Sequence, residues 1–316
     1  MNILRRTTIG IRYGVIHFSS KADKNTFSPH TYCLDLVRNH DYENFLATLL
    51  IKGQLERRGA FAVRAFNVEI AKVAGSVSDE KIGQIRLKFW HDAINKIYDK
   101  DKSKKLPEHP VIHEVNNAVI KYKLPKLYFQ RLITARQRQS NMMFSTLEEL
   151  EQHTEISTSS IYYLLVKIAG VDDLSVDHAA SHLGKSQGIA NSLRTLGAVT
   201  VRQTRGLSAL PPIPQEILLK HGCSYEKVLR QQPDDIAVQN CIFDVASTAK
   251  VHLDKARNLS NKVPSAAKNV FLPALAVDRF LTRLQLTNFQ LYSDRLAKRD
   301  GMLALVYFWN NLRRRY

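Results

Sequence analysis

Residues 175–196, SVDHAASHLGKSQGIANSLRTL, read as one long helix that stops before Gly197. Neither here nor elsewhere does the chain show period-two alternation bounded by hairpin turns, so no sheet is expected. On the N-terminal side, a second helix spans Thr158 to Ala169 and ends at Gly170, a residue suited to the left-handed cap. Before it, Thr146-Leu-Glu-Glu149 is a capping box, with Thr146 at the N-cap and Glu149 at N3, opening a helix over Leu147 to His153. Further back, Ser78 precedes Asp79 and Glu80, which place negative charge in a first helical turn. Ile82, Ile85, Phe89, Ala93 and Ile97 then recur at three- and four-residue spacing through Tyr98. Interruptions are few. Lys100 to Pro107 is a charged loop, and Val201 to Pro214 is a basic connection carrying Pro211, Pro212 and Pro214. Helices of one character continue on both sides of each, so the expectation is a single all-α domain over residues 26–316.

The bulk properties agree. A chain of 316 residues, 44% hydrophobic with 13 Gly and 10 Pro, can bury a sizeable core and is neither disordered nor low-complexity. Cys33, Cys223 and Cys241 are too few and too scattered for a disulfide framework or a zinc site. No apolar window approaches the 18 or so residues that a spanning helix needs.

The charge is lopsided: 46 basic residues face 29 acidic ones, a formal +17. Part of the excess sits in residues 1–22, which carry Arg5, Arg6, Arg12 and Lys21 and no acid before Asp23. Apolar residues lie between the basic and hydroxyl ones, as in a cleavable mitochondrial leader, so residues 1–25 are expected to be a transit peptide. The remainder still holds 42 basic residues against 29 acidic, about +13. Two readings of that excess stay open. Clusters such as Lys102-Ser-Lys-Lys105 and Arg313-Arg-Arg315 suit an anionic lipid surface at about 1 kcal/mol per charge, or they are a well-solvated basic exterior. No nucleic-acid recognition motif accompanies the charge, so no specific nucleic acid is expected.

Common chemical motifs are missing. His178 and His182 have the four-residue spacing of a helical zinc site, but Ala179 stands where the general base belongs. There is no GxSxG, phosphate-binding glycine loop or GxGxxG. Asp172-Asp173, just after Gly170, reads as a cap for the next helix.

Three longer strings say more. They are Phe61 to Val73 with Ile85-Arg-Leu-Lys-Phe-Trp90, Asp177 to Arg194, and Phe271-Leu-Pro273 with Trp309 near the end. Together they resemble the squalene/phytoene synthase family over nearly all of the chain after the leader. Tyr32-Cys-Leu-Asp-Leu-Val-Arg38, Arg64-Ala-Phe-Asn-Val-Glu69 and Asp177-His-Ala-Ala-Ser-His182 resemble its mitochondrial branch more narrowly. The resemblance implies the isoprenoid-synthase helical fold. In the family's enzymes, two aspartate-rich helix segments hold Mg²⁺ against a prenyl diphosphate, since carboxylates one turn apart share a helix face and converge on a cation.

The matching positions here are different. Aligning Ala65-Phe66 with the family's Ala-Phe puts Ala71, Lys72 and Gly75 where the first motif carries aspartates. Glu69 lies off that face and is placed to pair with Lys72 at i+3. In the second motif Asn191 and Arg194 match, but Thr195 and Val199 replace the acids, and Gly188 takes the glutamine position beside Gln187. From His178 to Gln215 there is no Asp or Glu at all, although Lys185, Arg194, Arg202 and Arg205 are present. The expectation is therefore no catalytic residue, no metal and no cofactor. Arg64, Phe66, Glu69, Arg86, Trp90, Asn191 and Arg194 would mark what is left of the cavity, with Lys185 nearby. The blander reading of the same residues is that Arg86 and Arg194 satisfy buried partners and that Phe66, Phe89 and Trp90 are plain core.

The branch implies a mitochondrial protein, peripheral on the matrix side of the inner membrane. It would help assemble respiratory complex I, with complex I subunits or other assembly factors as partners. The competing expectations are an active prenyl transferase using Glu69, Asp79 or Asp92, and a basic RNA- or lipid-binding protein.

Overall fold

The helix read over 175–196 is the hub of the molecule. A computed structural model describes residues 28–76, 80–101, 105–139, 143–201, 213–230 and 235–316. In it this helix, α9, spans Leu174–Val201 and is buried on nearly every side, as expected of a segment whose apolar and small residues are not confined to one face. Asp173 caps it as anticipated, its Oδ1 accepting from the amides of Ser175 (2.7 Å) and Val176 (3.1 Å). The helix does not stop before Gly197. That glycine continues the turn and lies against the carbonyl of Leu291, where an added Cβ would sit 3.0 Å from the oxygen. Its role is close approach, which local sequence does not distinguish from a helix stop.

Around α9 the chain folds in sequence order. The first group is α1 (Pro29–His40), α2 (Tyr42–Leu49), α3 (Gln54–Ser76), α4 (Glu80–Ile97), α5 (Pro110–Tyr122) and α6 (Lys126–Gln139). Next come α7 (Leu147–Thr154) and α8 (Ser160–Ile168), joined by a π-helical turn at Glu155–Ser159. After α9 follow α10 (Gln215–Lys220), α11 (Tyr225–Arg230), α12 (Ile236–Asn258), α13 (Pro273–Leu286), α14 (Asp294–Ala297) and α15 (Leu303–Leu312). No strand occurs among the described residues. The most extensive interface is α9 with α12, and α1, α3 and α5 form a second group beside it. One continuous apolar core runs through both. The leader (residues 1–25), Ser78, Asp79, Lys102 to Lys104 and most of the 201–214 connection lie outside the described residues.

The capping box at Thr146 forms: its Oγ1 accepts from the amide of Glu149 at 3.2 Å, while the Glu149 carboxylate takes the amide of Ser145 at 2.6 Å. The periodic face of α4 is only half right. Ala93 and Ile97 are buried, but Ile82, Ile85 and Phe89 face outward, Ile85 with 68% of its surface exposed. Leu87, Trp90 and Ile94 take the inward positions instead.

α7, the π-turn and α8 cross α9 at two glycines one turn apart. A Cβ at Gly184 would fall 2.4 Å from the Ser159 Cα, and one at Gly188 2.6 Å from the Thr154 side chain. At Gly184 the backbone of Ser159 leaves no room for a side chain, and at Gly188 the obstacle is the Thr154 side chain. Ser159 then donates to the carbonyl of Ser181 at 3.0 Å, and the Glu155 carboxylate accepts from Tyr163 (2.5 Å) and Ser181 (2.7 Å).

Candidate functional site

The positions that the resemblance aligns with metal-binding motifs lie in the last turns of α3 and the C-terminal half of α9. On α3, Ala71 is half-buried and Lys72 is exposed. The Lys72 ammonium pairs with Glu69 at 3.7 Å. Glu69 also accepts from the Tyr32 hydroxyl of α1 at 3.0 Å, and burial together with that carboxylate pushes the Tyr32 pKa up to about 12. Glu69 is thus held by a neighbour on either side. Glu69, Lys72, Arg86, Phe89, Trp90 and His109 line a cavity of about 370 Å³ between α3 and α4, with cationic groups at its rim and the Trp90 ring, edge-on to Phe66, behind it. Burial lowers the His109 pKa, opposed by Glu69.

On α9, Arg194 donates to Glu43 of α2 at 2.7 Å, to Asn191 Oδ1 at 3.2 Å and to the carbonyl of Ala276 at 3.2 Å. Its guanidinium also stacks 4.5 Å from the Phe280 ring centre. Thr195 turns its hydroxyl back to the Asn191 carbonyl at 2.9 Å, a bond within its own helix. A groove of about 430 Å³ lies beside it, between Arg194 and the Phe280 and Arg283 face of α13.

A buried polar chain lies between the two segments. Arg64, 3% exposed, sits beside the Tyr162 hydroxyl and offsets part of the rise in tyrosine pKa that burial causes there. Tyr162 donates to Gln187 at 2.6 Å, and Gln187 donates to Asn44, which donates in turn to Asp41. The fully buried Tyr307 hydroxyl of α15 completes the group. Burial raises its pKa well above the ordinary value, with Glu43 and Tyr162 adding to the rise and Arg194 and Arg64 opposing it. The Nε of Arg64 and the hydroxyl of Tyr307 make no hydrogen bond.

The residues singled out from sequence therefore divide. Arg64 and Arg194 approach the same buried tyrosine, while Arg86, Glu69 and Trp90 belong to the α3–α4 cavity. Lys185 belongs to a third cluster, 3.9 Å from Glu151, where His182 and His252 share a 2.9 Å contact between their Nδ1 atoms. Phe66 and Trp90 are core, whereas Phe89 is 42% exposed. Gly75 and Val199 complete the two helical segments. Glu43, Tyr162, Tyr307 and His252 were not legible as site residues, because each meets its partner from a separate helix.

Mg²⁺, which the fold family implies, does not fit this donor set. The first segment offers a methyl, an ammonium and the Glu69 carboxylate already bonded to Lys72 and Tyr32, the second a hydroxyl used within its helix and a guanidinium in an ion pair. Among the described residues no three His, Cys, Asp or Glu side chains come together where they could hold a metal.

This all-helical bundle around α9 defines a class. The squalene/phytoene synthase profile matches residues 37–302, and the chain belongs to that family. Among solved structures, a squalene synthase from Alicyclobacillus acidocaldarius superposes with a TM-score of 0.69 at 19% identity, covering 83% of this chain and 95% of that one. A dehydrosqualene synthase determined with ligand reaches 0.72 at 14% identity over 90% and 95%. The curated relatives are more similar in sequence. The chain is 44% identical to the Drosophila melanogaster homolog of NADH dehydrogenase (ubiquinone) complex I, assembly factor 6, over 94% of this chain and 87% of that protein. It is 35% identical to the Homo sapiens protein of that name over 90% and 82%.

Proposed function

We propose that this chain is a non-catalytic member of its family that assists an early, membrane-arm stage of respiratory complex I assembly. It would work in mitochondria, imported by residues 1–25, and peripherally on the matrix side of the inner membrane. Complex I subunits or other assembly factors are its partners. Relatives of that name at 44% and 35% identity support the assembly role. The observation that carries the non-catalytic part is the internal use of the motif positions: Lys72 is paired with Glu69, Glu69 with Tyr32, and Arg194 with Glu43. Against the alternative acids, Glu69 is bonded on both sides, and among the described residues neither it nor Asp92 joins a group of three side chains that could hold a metal. No helix among the described residues is long and apolar enough to cross a membrane, which is compatible with peripheral attachment.

The test is genetic. Cells lacking the protein should lose assembled complex I on native gels and regain it with the full chain, and also with Lys72→Gln. Normal complex I in the deleted cells refutes the reading. The leader is tested separately: a chain without residues 1–22 should stay outside mitochondria, and unchanged import refutes that part.

A further inference from the structure

α15 is a mainly apolar, uncharged helix that leaves much of its apolar surface exposed. Residues 301–312, GMLALVYFWNNL, contain no charge. One side, Leu303 and Tyr307, is inserted against Ala47 of α2 and Leu272 and Ala276 at the start of α13. The other side carries Met302, Leu305, Phe308, Trp309 and Leu312, each 54–61% exposed. At 100° per residue these five fall within one arc of about 120°, opposite the Leu303–Tyr307 edge. Five large apolar side chains, two of them aromatic, form a continuous outward strip about 15 Å long.

Both ends of the strip are cationic. Lys298 and Arg299 are exposed just before it; Arg299 lies over the Tyr42 ring, and Asp300 is paired with Arg279. Arg313, Arg314 and Arg315 are exposed just after it, Arg313 resting 4.4 Å from the Trp309 ring centre. The triplet is held in place: the following Tyr316 is buried with its ring 5.0 Å from that of Phe271, and Lys268 donates to the Arg314 carbonyl at 3.2 Å. A Trp/Phe/Leu face with fixed arginines at its margin is complementary to a bilayer surface, where the ring and aliphatic groups enter the acyl boundary and the guanidinium groups meet phosphates.

We propose that α15 is the element by which the protein docks on an anionic lipid bilayer, lying flat with Leu305, Phe308 and Trp309 inserted and Arg313–Arg315 on lipid phosphates. The inference deepens the peripheral placement given above and rests on it. α4 exposes Ile82, Ile85 and Phe89, a shorter strip whose neighbouring tryptophan, Trp90, is buried, and serves as the internal comparison.

The experiment uses the full chain with phosphatidylcholine vesicles containing or lacking about 20% cardiolipin, at roughly 0.1 M salt. Cosedimentation should occur with cardiolipin vesicles. Trp309 emission should shift to shorter wavelength, and Trp309→Phe should abolish the shift, because the other tryptophan, Trp90, is already buried. Leu305→Glu with Phe308→Glu should weaken binding at least tenfold, and serine at all three arginines about a hundredfold. Ile85→Glu should leave binding unchanged. Unaltered far-UV dichroism would show that the variants fold, as expected for substitutions at exposed sites. Failure of the wild type to bind cardiolipin vesicles, or undiminished binding by the Leu305/Phe308 variant, overturns the proposal. A Leu305/Phe308 variant that has lost vesicle binding but fully restores complex I in deleted cells also overturns docking by α15 as the working attachment, while leaving the assembly reading intact.

Discussion

Gly184→Ala is the most direct probe of how α9 is held. A methyl there would lie 2.2 Å from the Ser159 hydroxyl, 2.4 Å from its Cα and 2.6 Å from its amide nitrogen. The obstacle is mainly backbone, so rotamer changes cannot relieve it. On its far side α9 is fixed to α12, where Ser186 donates to the Ala249 carbonyl at 2.7 Å. Restoring ordinary contact requires the helices to part by about 1 Å, an overpacking that costs about 1–3 kcal/mol. The 3.0 Å bond from Ser159 to the Ser181 carbonyl would be lost as well, about 1 kcal/mol more. Alanine's better helix propensity returns about 1 kcal/mol. The net expectation is a loss of about 1–3 kcal/mol and a fall in Tm of roughly 2–5 °C for a domain of this size. Gly197→Ala meets only the Leu291 carbonyl at 3.0 Å and should cost less than about 1 kcal/mol. Thermal melts by far-UV dichroism, with urea titration of the same variants, measure both. A Gly184→Ala protein as stable as wild type, or more so, would mean that the α9–π-turn approach described above is wrong.

Three further expectations test the interior. His182 is held down to about 4 by burial first and then by His252, Lys255, Lys185 and His178, and the His252 pKa is lowered by burial with Glu151 opposing. The folded protein thus binds fewer protons than the unfolded chain between pH 4 and about 6.5. Stability should fall as pH drops through that window, by about 1–2 kcal/mol between pH 7 and 5 after screening of the part-exposed ring, and His182→Asn should flatten the urea-midpoint profile there. Tyr307→Phe removes a buried hydroxyl without a partner and should leave stability unchanged or raise it by about 1 kcal/mol in calorimetry; a loss of that size would reveal a missed hydrogen bond. Arg58→Ala breaks a two-pronged contact, 2.6 Å on each arm, with the buried Glu114 of α5, and should cost about 2–3 kcal/mol in urea unfolding, whereas a change below 0.5 kcal/mol would show the pair to be ornamental.

What the sequence made legible was local. The capping box at Thr146 and the Asp173 cap involve residues within a few positions of each other, and both form. Where a residue serves a distant neighbour, local reading failed. Gly197 looked like a stop because glycine is both a cap and a site of close approach, and only the Leu291 carbonyl distinguishes the two. Ile82, Ile85 and Phe89 have the spacing of a core face, yet the inward side of α4 is set by α3 and α6, which Leu87, Trp90 and Ile94 meet instead. The candidate site was half visible. Glu69 with Lys72 is a helical neighbour pair and was readable, but the partners of Arg194, Gln187 and His182 lie 151, 143 and 70 residues away. Nothing in local spacing points to such pairings.

The account depends on a helical scaffold in which Lys72, Glu69 and Arg194 are engaged by the protein's own residues. Purified full-length protein incubated with Mg²⁺ and farnesyl or geranylgeranyl diphosphate, with released pyrophosphate counted against a heat-killed control, tests this most directly. The scaffold described here should release none above that control. Sustained pyrophosphate release that survives Lys72→Gln but disappears with Glu69→Gln would contradict it, because Glu69 would then be a working acid and not a partner of Tyr32 and Lys72.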